Sequence, residues 1–169
     1  MSRAPVPSYE QVLELRCEVK DFVIPESFED ENGHMNIRHY LDLAARAVST
    51  TFARVGITDN YRATRRRGFF TAEHHLRYFT ESHVGDRISV YFRTLERSAK
   101  VVHAMAFLVN DTTRQLSYTL ELVAPHVDLT ARRTIAFDRD IATAWDHELA
   151  SVAKVDWAAP VCGSMGIRH

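Results

Sequence analysis

An α+β fold, with one long central helix wrapped by a curved antiparallel sheet, is predicted for this chain by three observations. Residues 37–55 carry a single apolar stripe at helical spacing. Four later segments alternate apolar and polar residues with period two, and their connections are too short for crossover helices. The 169 residues suffice for one domain with a full core. A flat sheet of this size cannot bury both its own face and a long helix, whereas a strongly curved one can. Such a sheet leaves an edge, so a homodimer or a dimer of dimers is expected. The expected organisation is an N-terminal arm at residues 1–11, one domain at 12–137, and a C-terminal helix and tail at 138–169 packed on the same domain.

In chain order, Leu15, Cys17 and Val19 alternate with Arg16, Glu18 and Lys20, which predicts a half-buried strand ended by Pro25. Asn36 is a good N-cap for the long helix, and Met35 and Tyr40 hold the positions of a hydrophobic staple. Tyr40, Leu41, Ala44, Ala47, Val48, Thr51, Phe52 and Val55 form its stripe, and Gly56 supplies its stop. The small residues Ala44, Ala45 and Ala47 let the helix lie close to a sheet. Residues 57–70 read as a connector containing Arg62, Arg65, Arg66 and Arg67. Strands are expected at Thr71–Thr80, Arg87–Glu96, Lys100–Asn110 and Gln115–Val127, with turns at 83–86, 97–99 and 111–114. Asp140–Val152, with Ile141, Ala144, Trp145 and Leu149, predicts a terminal helix.

Composition excludes several function classes. Hydrophobic residues at 46%, charged residues at 25% and a net charge of −1 give no general attraction to nucleic acid or membrane. The two cysteines, Cys17 and Cys162, form no CxxC pair. The N-terminus lacks the apolar core of a signal peptide, and no run is long enough to span a bilayer, so a cytoplasmic protein is expected. His34, His39, His74 and His75 form no compact zinc motif, and neither a metal nor a cofactor is expected. The arginines at 62–67 are candidates for neutralising the phosphates of a nucleotide-bearing substrate, or a solvated connector. No GxSxG elbow is present.

The chemistry concentrates in Asp30-Glu31-Asn32-Gly33-His34-Met35-Asn36, which runs straight into the helix. A helix start offers free N–H groups that stabilise a developing oxyanion. A thioester needs little more than that and a nucleophile or base, because its thiol leaving group has a pKa of roughly 8.5. Asp30 is the candidate nucleophile or general base, and its alternative reading is a surface carboxylate or helix cap. Gly33 permits positive φ or close approach to a ligand. His34 is placed to orient the acyl carbonyl, and Asn36 is most economically the cap. A second candidate lies in Phe69-Phe70-Thr71-Ala72-Glu73-His74-His75-Leu76. On a strand, Glu73 and His75 share one face, opposite Leu76 and Tyr78. Glu73 reads as a second acid/base group or as a cross-strand ion-pair partner.

The run Asp30-x-x-Gly33-His34-Met35-Asn36, followed by Tyr40, resembles the active-site segment of hotdog-fold acyl-CoA thioesterases of the 4-hydroxybenzoyl-CoA thioesterase type. The resemblance continues through Tyr78 and the Gly85-Asp86 turn. It is closer to the betainyl-CoA thioesterases of carnitine breakdown, through Asn32-Gly33-His34-Met35-Asn36, Thr71-x-Glu73-x-His75, Lys100-x-x-His103 and His126-Val127-Asp128. It covers roughly residues 15–135. It implies a hotdog fold, an acyl-CoA substrate, Asp30 as the catalytic carboxylate, and a site at a dimer interface where Asp30 and Glu73 come from different subunits. That group usually has a tryptophan where this chain has Phe28, and a tyrosine where it has Glu31. Aromatic faces hold trimethylammonium groups, and Phe28, Phe69, Phe70 and Tyr78 are the aromatics expected to line the pocket, with Tyr40, Asn36 and His75. An enoyl-CoA hydratase on the same fold, or a non-catalytic acyl-CoA-binding module, are the competing readings.

Overall fold

A computed structural model describes residues 5–167 of the chain. The elements are α1 (Tyr9–Val12), β1 (Arg16–Val23), α2 (Ile37–Arg54), α3 (Asp59–Arg65), β2 (Arg67–Phe69), β3 (Glu73–Tyr78), β4 (Arg87–Arg97), β5 (Val101–Asn110), β6 (Gln115–Asp128), β7 (Arg133–Thr134) and α4 (Arg139–Ser151). The pairing is antiparallel throughout, in the order β1-β4-β5-β6-β2, with β3 and β7 also pairing to β6. Register shifts interrupt β1–β4 twice and β4–β5 and β5–β6 once each. Such irregularities add twist and bend, and here they help curl the sheet around α2 as expected.

The helix stripe packs into the concave face. Tyr40, Leu43, Ala44, Ala47 and Phe52 meet Ile88, Val90, Val102, Ala104, Ala106, Leu108, Leu120 and Leu122. Alanines on both sides of the contact let the helix approach β5 closely. Met35 and Tyr40 are both buried, as the staple requires, and Asn36 Oδ1 accepts from the Arg38 amide at 3.2 Å. Gly56 follows with φ +98°.

Three features add detail to the expected layout. Part of the lead-in, 1–11, is α1, capped by a reciprocal Ser8–Gln11 box; residues 1–4 lie outside the described residues. The connector 57–70 contains α3 and β2. Three of its four arginines are ion-paired within the chain: Arg65 with Asp138 and Asp140, Arg67 with Asp138, and, at the surface, Arg62 with Asp59. Finally, the outer face of the sheet is covered. α1, the turn after it and the tail beyond α4 lay Val12, Leu15 and Trp157 over Met105, Phe107, Val109 and Leu116. This is why β5 is apolar on both faces rather than alternating.

Asp138 ties α3 and β2 to the start of α4. Its Oδ2 accepts from Tyr61 Oη at 2.9 Å and lies 3.1 Å from Arg65 Nη1, while Oδ1 meets Arg67. Burial pushes the Asp138 carboxyl up, but Tyr61, Arg65 and Arg67 outweigh it and hold the pKa below the usual 3.8. A carboxylate with a depressed folded-state pKa contributes stability above the unfolded value and loses it as pH falls through the folded one. The parent is therefore expected to lose unfolding free energy as pH falls through and below the ordinary carboxylate range, and Asp138→Asn to lose less, measured by urea unfolding at a series of acidic pH values.

Candidate functional site

The segment before α2 is a small hairpin. Asn36 N donates to Phe28 O at 2.8 Å and Asp30 N to His34 O at 3.0 Å, while Gly33 N closes the turn onto Asp30 O at 3.1 Å. Gly33 sits at φ +79°, a left-handed conformation that glycine adopts without penalty, and the space around a Cβ there is open. Gly33→Ala is thus resisted by backbone conformation rather than crowding. It is expected to cost about 1 kcal/mol in urea unfolding.

This turn fixes the Asp30 carboxyl. Oδ1 accepts from the Asn32 amide at 2.9 Å, and Oδ2 lies 3.6 Å from His34 Nδ1. The Asp30 side chain is only 9% exposed. The other ring nitrogen of His34 lies 3.9 Å from Glu81 Oε1, so the imidazole stands between two carboxylates. The hairpin is anchored to the loop after β3 by Met35 N donating to Ser82 O at 2.7 Å. That loop is anchored in turn: Asp86 Oδ2 accepts from Asn110 Nδ2 at 2.8 Å and from the His83 amide at 2.8 Å.

Beside the hairpin opens a cleft of about 270 Å³, lined by His34, Met35, Ile37, Tyr40, Tyr78 and Glu81 among others. Ile37, the first residue of α2, leaves its amide without an intrahelical acceptor. Tyr40, Tyr78 and Tyr118 form an aromatic group behind this cleft, with centroids 5.0–5.6 Å apart. Burial pushes all three phenols up, so they stay neutral. A second cleft of about 210 Å³ lies further along the same side of α2, lined by Val48, Phe52, Phe69, Phe70, His74 and Leu122 among others.

The structure thus brings Asp30, Gly33, His34, Asn36, Tyr40 and Tyr78 together, and places Phe70 in the neighbouring cleft. Two expectations are not met within the chain. Phe28 does not line the cleft: its ring stacks on His39, centroids 3.6 Å apart, and on Phe22. Glu73 and His75 point to the outer face of the sheet, away from Asp30. There His75 Nδ1 lies 3.9 Å from Glu121 Oε2, and Glu73 sits across from Val123. Sequence reasoning missed Glu81, Ser82 and Ile37. The polar run Thr80-Glu81-Ser82 directly after the Tyr78 strand was the available signal.

Several apolar side chains also mark the open side of the sheet. β3 pairs with β6 and, among the described residues, with no strand on its other edge. Ile37, Phe70 and Tyr78 are large exposed apolar side chains on that side. No helix among the described residues is long and apolar enough to cross a membrane.

Comparisons with known proteins extend this picture. A family model described as the thioesterase-like superfamily matches residues 25–145. L-Carnitine dehydrogenase/betainyl-CoA thioesterase from Agrobacterium fabrum is 30% identical over 118 residues, 70% of this chain and 24% of that protein. The chain therefore spans about a quarter of that relative's length. Betainyl-CoA thioesterase from Pseudomonas aeruginosa is 26% identical over 144 residues, 85% of this chain and 87% of that one. Among solved structures, a Staphylococcus aureus protein in complex with CoA shares the fold with a TM-score of 0.80, at 21% identity, covering 91% of this chain and 97% of that one.

Proposed function

The chain belongs to the thioesterase-like superfamily, and from that premise we propose that it hydrolyses a small acyl-CoA thioester at the cleft beside Asp30. The observation that carries this reading is the Asp30 carboxylate, nearly buried yet adjoining His34 at the cleft wall beside the start of α2. Hydrolysis adds water across the C–S bond and releases a carboxylate and free CoA thiol. Asp30 acts as nucleophile on the acyl carbon, or as general base on the attacking water. Amides at the start of α2 meet the oxygen that gains charge. Loss of one such donor typically slows a reaction by about 10²–10³-fold. His34 orients the carboxylate and the carbonyl. Glu73 takes no part in this reading, because its strand turns it to the opposite face.

The cleft also supports a class of acyl group. Its wall combines the faces of Tyr40 and Tyr78 with the carboxylate of Glu81, whose side chain is 68% exposed. Aromatic faces and a carboxylate favour a compact cation, and a desolvated cation–π contact contributes about 2 kcal/mol. A betainyl-type acyl group fits that chemistry, as do the names of the two curated relatives. Two copies pairing through the free edge of β3, alone or as a dimer of dimers, would cover Phe70 and Tyr78 and close the clefts.

The test is thiol release, followed with a thiol-reactive dye, across a panel of acyl-CoAs. Betainyl-CoA is expected to exceed its neutral isostere 3,3-dimethylbutyryl-CoA in kcat/KM by about tenfold or more, a difference of roughly 1.4 kcal/mol. Equal rates for the two esters would remove the cationic preference and leave the hydrolase. The Asp30–His34 pair also suits water addition to an enoyl-CoA double bond. That reaction releases no thiol, so enoyl-CoA consumed without free thiol would replace the hydrolase reading.

A further inference from the structure

The outer face of the sheet, opposite Asp30, carries a second group of ionisable side chains. Arg93, Met105, Glu121 and His75 lie in one row across β4, β5, β6 and β3, and Glu96, His103, Val123 and Glu73 in the next. Glu121 is fully buried. Its Oε1 lies 2.9 Å from His103 Nε2, and His103 Nδ1 lies 3.0 Å from Glu96 Oε1. The tail then crosses over this row. Arg93 Nη1 donates to Trp157 O at 2.8 Å, and the Cys162 amide donates to Glu121 Oε2 at 2.7 Å. One ring nitrogen of His75, a carboxylate oxygen of Glu121 and Cys162 Sγ all fall within 4.8 Å of one another.

We propose that His75, Glu121 and Cys162 form a binding site for a zinc-class divalent ion, which ties the C-terminal tail to the outer face of the sheet. One nitrogen, one oxygen and one sulfur donor suit Zn²⁺ and Co²⁺, whereas Mg²⁺ and Ca²⁺ select oxygen alone. Zinc bonds of about 2.0–2.3 Å place neighbouring donors about 3.3–3.8 Å apart. His75 Nδ1 and Glu121 Oε2 are already 3.9 Å apart. The remaining closure falls to Cys162, whose chain is followed by Gly163 at φ +79°. His103 bonds the other oxygen of Glu121 and so fixes the carboxylate, the arrangement by which outer groups tune metal ligands. A cavity of about 460 Å³, lined by Arg93, Thr94, Glu96, His103 and Val161 among others, lies on the far side of His103, next to the residue before Cys162. A buried carboxylate facing a thiol and an imidazole is otherwise an arrangement that hydrolysis at Asp30 does not use. The site lies on the opposite face from the proposed catalytic cleft, so it stands or falls independently of the thioesterase reading.

The test is titration of the reduced, untagged full chain with Co²⁺. One equivalent is expected to bind with an intense near-ultraviolet thiolate-to-cobalt band and the visible bands of a four-coordinate ion, and Zn²⁺ is expected to bleach both. Cys162→Ser should remove the near-ultraviolet band and weaken binding at least tenfold. His75→Ala, at a half-buried edge position, should weaken binding similarly and serves if the tail variant folds poorly. Absence of the band in the parent, its persistence in Cys162→Ser, or unchanged affinity in both variants would overturn the site.

Discussion

Asp30→Asn is expected to reduce kcat for the preferred acyl-CoA by about 10²–10⁴-fold, the range a positioned acid/base group supplies, while leaving KM close to that of the parent. The substitution is nearly isosteric. An asparagine oxygen still accepts from the Asn32 amide, the bond that shapes the turn at 2.9 Å, so the hairpin and the start of α2 stay in place. What disappears is the negative charge that, in the proposed reaction, attacks the acyl carbon or takes a proton from water. The cleft residues Tyr40, Tyr78 and Ile37 are untouched, which is why substrate binding should persist. Steady-state kinetics with thiol detection separates the two parameters, and isothermal titration with the unreactive variant measures binding alone. Turnover at the parent's rate would take Asp30 out of the reaction. A raised KM with unchanged kcat would make Asp30 a binding group.

The parts of this fold legible in the sequence are those where one periodicity dominates. The stripe on residues 37–55 reads as a helix because one face alone is buried, and the structure ends α2 at Arg54, beside Gly56. Leu43 and His39 are buried too, so the buried face of α2 is wider than its apolar spacing alone indicates. β5 is different. Val101–Asn110 is buried almost throughout, and a run apolar on both faces announces that something covers the second face without saying what. The cover consists of a four-residue helix and an irregular tail, which carry no periodicity at all. The site divides in the same way. Asp30 to Asn36 is contiguous, so the turn and the cap could be read locally. The outward direction of Glu73 also followed from strand alternation, but its distance from Asp30 depends on how the sheet curls. Glu121 and Cys162, which meet His75, come from remote parts of the chain. No spacing rule reaches that far.

Arg54→Met is expected to destabilise the fold by about 3–5 kcal/mol, the cost of stripping a buried carboxylate of its partner. Arg54 closes the C-terminal end of α2. Its Nη1 donates to Glu18 Oε2 at 2.8 Å, Nη2 lies 2.6 Å from Glu18 Oε1, and Nε donates to Glu148 Oε1 at 2.8 Å. One guanidinium therefore joins the central helix to β1 and to α4. The Glu18 side chain is only 2% exposed, so it cannot exchange the lost partner for water. A cation in the last turn also complements the helix dipole, and methionine forfeits that contribution. Urea unfolding at one fixed protein concentration measures the loss, since association would shift the apparent value. Arg54→Lys restores the charge without the fork that serves both carboxylates, and should recover only part of it. Adding Glu18→Gln to Arg54→Met removes the stranded charge and is expected to regain a substantial share, which shows that the penalty sits in the unpaired carboxylate. A single variant within about 1 kcal/mol of the parent would place this ion pair among the exposed kind that contributes little. In that case packing of the Ala44–Ala47 stripe against β5, rather than the charge at its far end, would be what holds α2 and the Asp30 hairpin in register with the sheet.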